Sequence, residues 1–164
     1  MISPESNEII RLLNAHNLYS YPVDVLSLAQ KEGFRLVCES NPGIDPSIRP
    51  KADYKVIYYP AACNKKEKRM RIARQIACFY KVGRILPEGT AISDERLGQQ
   101  TEDFACELLM PFELLDGYIR RILKSRNYAA ICCLPTLLSI AFDVPEAVAR
   151  RRYTAYLRNL NVIE

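Results

Sequence analysis

A chain of 164 residues, 49% of them hydrophobic, is long enough to bury one sizeable core, and one domain over 1–164 is expected. A net charge of +4 and a pI near 8.7 are mildly basic, which permits an acidic or nucleic-acid partner and requires neither. No uncharged apolar run approaches the ~18 residues of a membrane span, and the opening MISPESNEII lacks the basic and apolar regions of a secretory leader, so a cytoplasmic protein without membrane association is expected.

Ser3-Pro4 reads as the N-cap and first residue of a helix whose apolar side is Ile9, Leu12 and Leu13 and which ends near Asn17. Val25, Leu26, Leu28 and Ala29 mark a short second helix, closed by Gly33. FRLVC (34–38) and KVIYY (55–59) read as strands, and the proline-rich NPGIDPSIRP (41–50) between them as a loop. A long helix over 65–82 opens with KKEKRMR, carries RMRIARQIACFYK (69–81) and stops at Gly83. ILPEGTAIS (85–93) is a second loop, and helices follow over 94–110, 112–124, 134–142 and 145–159. The fold class is therefore α+β, mainly helical, with a small β-sheet and a wholly helical last third. Six irregularly spaced cysteines with no CxxC motif point to reduced thiols.

Within RMRIARQIACFYK, apolar residues recur at helical spacing, yet Arg74, Gln75 and Cys78 interrupt them. Taken in order, PVDVLSLAQKEGFRLV, this helix, EDFACELLMP and IAFDVPEAVARRRYTAYL resemble the ImmA/IrrE family of metallopeptidase-like proteins over nearly the whole chain. The resemblance implies a zincin-like metallopeptidase core over 1–110 and a helical C-terminal region over 111–164 with a helix-turn-helix-like segment. Catalytic members of that family carry H-E-x-x-H on the helix matched here. Two histidines four apart share a helix face and reach one Zn²⁺, while the glutamate activates its water. On that pattern this chain has Arg74, Gln75, Ile76, Ala77 and Cys78, and the third-ligand glutamate falls on Gly98, with Glu95 nearby by a shift of register. The chain's one histidine, His16, lies on the first helix, outside the motif.

Arginine stays protonated and has no lone pair for a metal, and glutamine cannot take a proton from water as a carboxylate does. No catalytic residue, metal ligand set or cofactor is expected. Three readings of Arg74 stand: it reaches solvent from the rim of a filled cleft, it pairs internally with Glu95, Glu102 or Asp103 in place of the ion, or it binds an anion. Cys78 and Cys106, with Cys63 as a third donor, are either a soft-metal site or small hydrophobes in a core. No histidine stands by to make Cys78 a nucleophile.

Lys65, Lys66, Lys68, Arg69 and Arg71 form one basic run, read as a solvated face, and Arg150, Arg151 and Arg152 form another. The second lies in a helix, a turn at Asp143-Val144 and a further helix, an arrangement resembling a helix-turn-helix with its arginines available to phosphates. Ile140, Phe142, Val144, Val148 and Leu157 equally suit packing. At least two of the three arginines are expected in solvent. The expected function is a catalytically inactive ImmA/IrrE-like module that binds or regulates a protein. The resemblance implies a helix-turn-helix repressor as partner, since similar catalytic proteins cleave such repressors. DNA binding through the C-terminal helices is the alternative, and an atypical peptidase the third reading.

Overall fold

Residues 4–39, 55–83, 92 and 94–160 are described by a computed structural model. Along them run α1 (Pro4–Ala15), α2 (Val25–Lys31), β1 (Arg35–Glu39), β2 (Val56–Pro60), α3 (Lys65–Val82), α4 (Glu95–Leu109), α5 (Phe112–Lys124), α6 (Tyr128–Cys132), α7 (Leu134–Ala141) and α8 (Glu146–Asn159). Both expected strands and every expected helix are present to within a few residues. Ser3, NPGIDPSIRP and ILPEGTAIS apart from Ile92 lie outside the described residues.

Local chemistry sets the boundaries. Asn64 and Glu67 form a reciprocal capping box at the start of α3, with Asn64 Oδ1 accepting from the Glu67 N–H at 3.0 Å and Glu67 Oε2 accepting from the Asn64 N–H at 3.1 Å. Gly83, at φ 76°, ends that helix in the left-handed region, and its N–H donates to the Phe79 carbonyl. Asp94 Oδ1 accepts from the Leu97 N–H at 3.1 Å just before α4.

The chain forms two compact units. Val25–Ala105 contains α2, the sheet, α3 and most of α4. Its strands pair in parallel, Arg35 opposite Val56 through Glu39 opposite Pro60. Helix α2 packs on α3 and β1, and α3 on β2. Ile57, Ile72, Ile76 and Phe104 are wholly buried there, each side chain contributing about 1.5–3 kcal/mol of apolar burial. Phe34 meets Phe79 edge-on at 5.2 Å, and Lys55 Nζ lies over both rings while donating to the Glu32 carbonyl at 2.7 Å.

Met1–Asp24 and Cys106–Glu164 make up the other unit, so α1, read from sequence as part of a core over 1–110, groups with the C-terminal helices. Tyr21 stacks on Phe142 at 4.9 Å, and Tyr118 meets both rings edge-on at 5.8 and 6.0 Å. Helices α7 and α8 pack together, burying Phe142, Val144 and Val148. Ile140 is the exception to the packing set: it is 66% exposed, because it points away from the face that carries Leu138 and Phe142. Helix α6 has no counterpart among the sequence expectations. Its five residues, YAAIC, are too few for a period, although Asn127 Oδ1 caps it by accepting from the Ala130 N–H at 3.1 Å.

Candidate functional site

Arg74 and Cys78 stand four residues apart on α3 and share a side of the helix. Ile76 and Ala77, between them, are wholly buried and anchor α3 in its unit. Arg74 reaches α4, where Nε donates to Glu102 Oε2 and Nη2 to Glu102 Oε1, both at 2.8 Å. Two parallel bonds from a planar guanidinium to one carboxylate are the strongest form of this contact. The side chains are 49% and 26% exposed, so solvent screening keeps the pair near the ~1 kcal/mol end of the surface range. Arg74 is thus paired, as one reading had it, but at a rim rather than in the interior.

The other carboxylates named for this role lie differently. Asp103 accepts from Gln99 Nε2 at 2.9 Å, one turn away on the same helix, and Glu95 is exposed in the first turn of α4. A Cβ built on Gly98 would meet Ile92 Cβ at 3.7 Å, an ordinary contact, so a small side chain fits there, although glycine supplies no ligand.

Gln75 is half-buried, and its Oε1 is shut away from solvent without a hydrogen-bond partner. Cys78 is 8% exposed. Burial pushes its thiol pKa up, the Glu102 carboxylate pushes the same way, and Arg74 opposes them more weakly. The thiol therefore stays protonated at neutral pH and is neither a ready nucleophile nor a ready metal donor.

These groups do not fit a catalytic zinc. At the histidine positions stand a guanidinium already committed to Glu102 and a protonated thiol, and at the glutamate position an amide. Among the described residues no group of three or more His, Cys, Asp or Glu side chains is placed to hold a metal ion. Cys63 donates instead to the Pro60 carbonyl, at 3.0 Å.

The basic runs divide by burial. Arg69 is 5% exposed, which corrects its assignment to a solvated face, while Lys68 Nζ sits 4.1 Å above the Tyr59 ring. Arg150 is exposed and bonded to Glu146, with Nη2 at 2.6 Å, and Arg151 is half-buried. Arg152 is 8% exposed, so it is not available to phosphates, and of the three arginines, at least two of which were expected in solvent, only Arg150 is fully exposed. Its Nε and Nη2 donate to the Met110 carbonyl at 3.2 and 3.0 Å, and Nη2 lies 3.7 Å from Glu107 Oε1. Glu107, itself buried, also accepts from Ser6 Oγ. Sequence reasoning missed this cluster, yet a signal was present: residue 152 is four beyond Val148 and four before Tyr156, on the buried side of α8.

Comparisons with family models, with curated proteins and with solved structures return no match to this chain.

Proposed function

We propose that the chain is a catalytically inactive ImmA/IrrE-like domain, with a zincin-like core that has lost its metal, and that it serves as a regulatory module binding a helix-turn-helix repressor. The observation that carries this reading is the bidentate Arg74–Glu102 pair. Where the resembling family places its first histidine, a fixed cation faces a carboxylate on the neighbouring helix. One positive charge thus takes the electrostatic part of the ion without its Lewis acidity. The α3–α4 contact is kept and the means of activating water is lost, since Gln75 supplies no base. A partner that an active relative would cut is on this reading held and released intact, which is a step of analogy from fold to role.

The test is a calorimetric titration of the full chain with a purified helix-turn-helix repressor from the same host, run beside a cleavage assay with added Zn²⁺ and with chelator. Saturable binding with the repressor left intact in both arms is the expected result. Cleavage that chelator abolishes, or no binding to any such repressor, overturns the reading. No observation favours the DNA-binding alternative through α8, because Arg152 is buried and Arg150 is neutralised by Glu146.

A further inference from the structure

Some exposed cations on this protein are neutralised locally: Arg74 by Glu102, Arg120 by Asp116 and Arg150 by Glu146. The corner where α5 gives way to α6 instead gathers three that are not. Arg121, Lys124 and Arg126 are all exposed, and their side chains form no ion pair or hydrogen bond among the described residues. The local sequence offers them no partner, since no Asp or Glu occurs between Asp116 and Asp143. Arg121 and Lys124, three apart, are neighbours on the last turn of α5. Arg126 follows in the left-handed region at φ 51°, with its N–H donating to the Leu123 carbonyl at 3.2 Å, so the chain turns tightly within two residues of Lys124. Next to them, at the start of α6, Tyr128 is 82% exposed.

We propose that this corner binds single-stranded nucleic acid, with Arg121, Lys124 and Arg126 on phosphates and Tyr128 stacked on a base. Unneutralised cations beside an open aromatic face are the two parts such a site needs: the charges track the backbone, and the ring accepts any base. Duplex DNA fits less well, because α6 has five residues, too short to lie along a groove. A membrane surface fits less well too, since Leu123 and Tyr128 are the only large exposed apolar side chains of this corner among the described residues, too little to anchor it. An acidic polypeptide would use the charges but leave the tyrosine face idle.

The test measures the affinity of the full chain for fluorescein-labelled dT and U 20-mers by anisotropy between 50 and 200 mM salt. Binding is expected, with log K falling by about 2 per decade of salt, roughly 0.7 for each of three phosphate contacts on a single strand. Changing Arg121, Lys124 and Arg126 together to Ala should abolish it. Tyr128→Ala should weaken binding about tenfold or more while Tyr128→Phe retains it, since phenylalanine keeps the stacking face. Preference between the two 20-mers tells RNA from DNA and leaves the site assignment intact. All four residues are exposed, and far-UV circular dichroism checks that each variant is folded. No binding at 50 mM salt, binding indifferent to the triple change, or a Tyr128→Ala variant of unchanged affinity that polyglutamate displaces as well as oligonucleotide does, each overturns the proposal.

Discussion

Arg152 on α8 donates two hydrogen bonds to the Met110 carbonyl, which lies one residue beyond the last turn of α4. A cation there satisfies a carbonyl that the helix leaves open and opposes the partial negative charge of the helix end. It also lies 3.7 Å from buried Glu107. Arg152→Ala removes both interactions and leaves the buried carboxylate with the Ser6 hydroxyl as its donor, so a loss on the order of 3 kcal/mol is expected. Arg150→Ala, on the exposed side, should change stability by about 1 kcal/mol or less. Urea denaturation of both variants at constant m-value reads the difference, and equal midpoints would refute it.

Two glycines should respond in opposite directions. Gly117 lies within α5, and a Cβ there meets nothing within 4 Å, so Gly117→Ala should stabilise by about 0.5–1 kcal/mol through helix propensity. Gly33 has φ 79°, where an L side chain is strained, so Gly33→Ala should cost about 1 kcal/mol or more. Thermal midpoints moving in the same direction for both would contradict this account.

The same contrast explains what could be read in advance. Gly33, Asn64 and Gly83 act through backbone chemistry that a linear sequence displays, so the ends of α2 and α3 are legible without tertiary information. Arg74 was legible as a break in an apolar pattern, but which of Glu95, Glu102 and Asp103 it meets depends on the rotation of α4, which no local pattern fixes. Arg152 misleads because charge is counted residue by residue while burial is set by the face. The period that put Val148 inside also put Arg152 inside, and its partner Met110 is 42 residues away. The parallel pairing of β1 with β2 is likewise a tertiary relationship that neither strand's own residues specify.

Asp116 and Tyr156 give stability a pH dependence at both ends. Burial pushes the Asp116 carboxyl up, but hydrogen bonds from Arg120 and Tyr156 outweigh it and hold the pKa below its ordinary value. The folded state therefore favours the carboxylate. This contribution is present above about pH 4 and is lost as pH falls through the folded pKa. Tyr156 is pushed up to about 12 by burial and by its 2.8 Å hydrogen bond to Asp116. Here the folded state favours the protonated phenol, so stability is present below about pH 10 and declines as pH rises toward 12. Tyr156→Phe should reduce both the acid loss and the alkaline loss. A spectroscopic titration should show Tyr156 ionising late, together with Tyr19, which burial and Glu113 also hold protonated. Normal ionisation of all tyrosines near pH 10 in the folded protein would refute the assignment.

Thiol chemistry should sort by burial. Cys38, Cys132 and Cys133 are exposed, whereas Cys78 and Cys106 are buried. Brief iodoacetamide treatment at pH 7.5 followed by mass spectrometry should label the exposed three and leave the buried two unmodified until denaturant is added. Glu102→Gln removes a charge that raises the Cys78 pKa and also releases Arg74 from its ion pair, so Cys78 should then react faster, with the shift visible in its pH–rate profile. Labelling of Cys78 as fast as Cys132 in the unaltered protein would show that solvent reaches the Cys78 face of α3.

Rebuilding the metal motif asks whether the α3–α4 geometry is that of a zincin. The triple change Arg74→His, Gln75→Glu and Cys78→His places H-E-x-x-H on α3, but Gly98 still supplies no carboxylate. Glu102 is the remaining candidate, because its two oxygens already face the tip of residue 74 at 2.8 Å. An imidazole is shorter than an arginine side chain, and a Zn²⁺ held about 2 Å from both nitrogen and oxygen would fill the space that the guanidinium vacates. Cys78 is buried, so a larger ring there costs about 1–3 kcal/mol of overpacking, which limits the affinity. Weak, stoichiometric zinc binding is expected in the triple variant, absent from the unaltered chain and lost again when Glu102→Gln is added. Elemental analysis after dialysis against micromolar Zn²⁺ measures it, with circular dichroism confirming the fold. If the folded triple variant takes up no zinc, or takes it up independently of Glu102, then α3 and α4 do not face each other as the ImmA/IrrE resemblance requires, and Arg74–Glu102 is a surface ion pair with no metal ancestry.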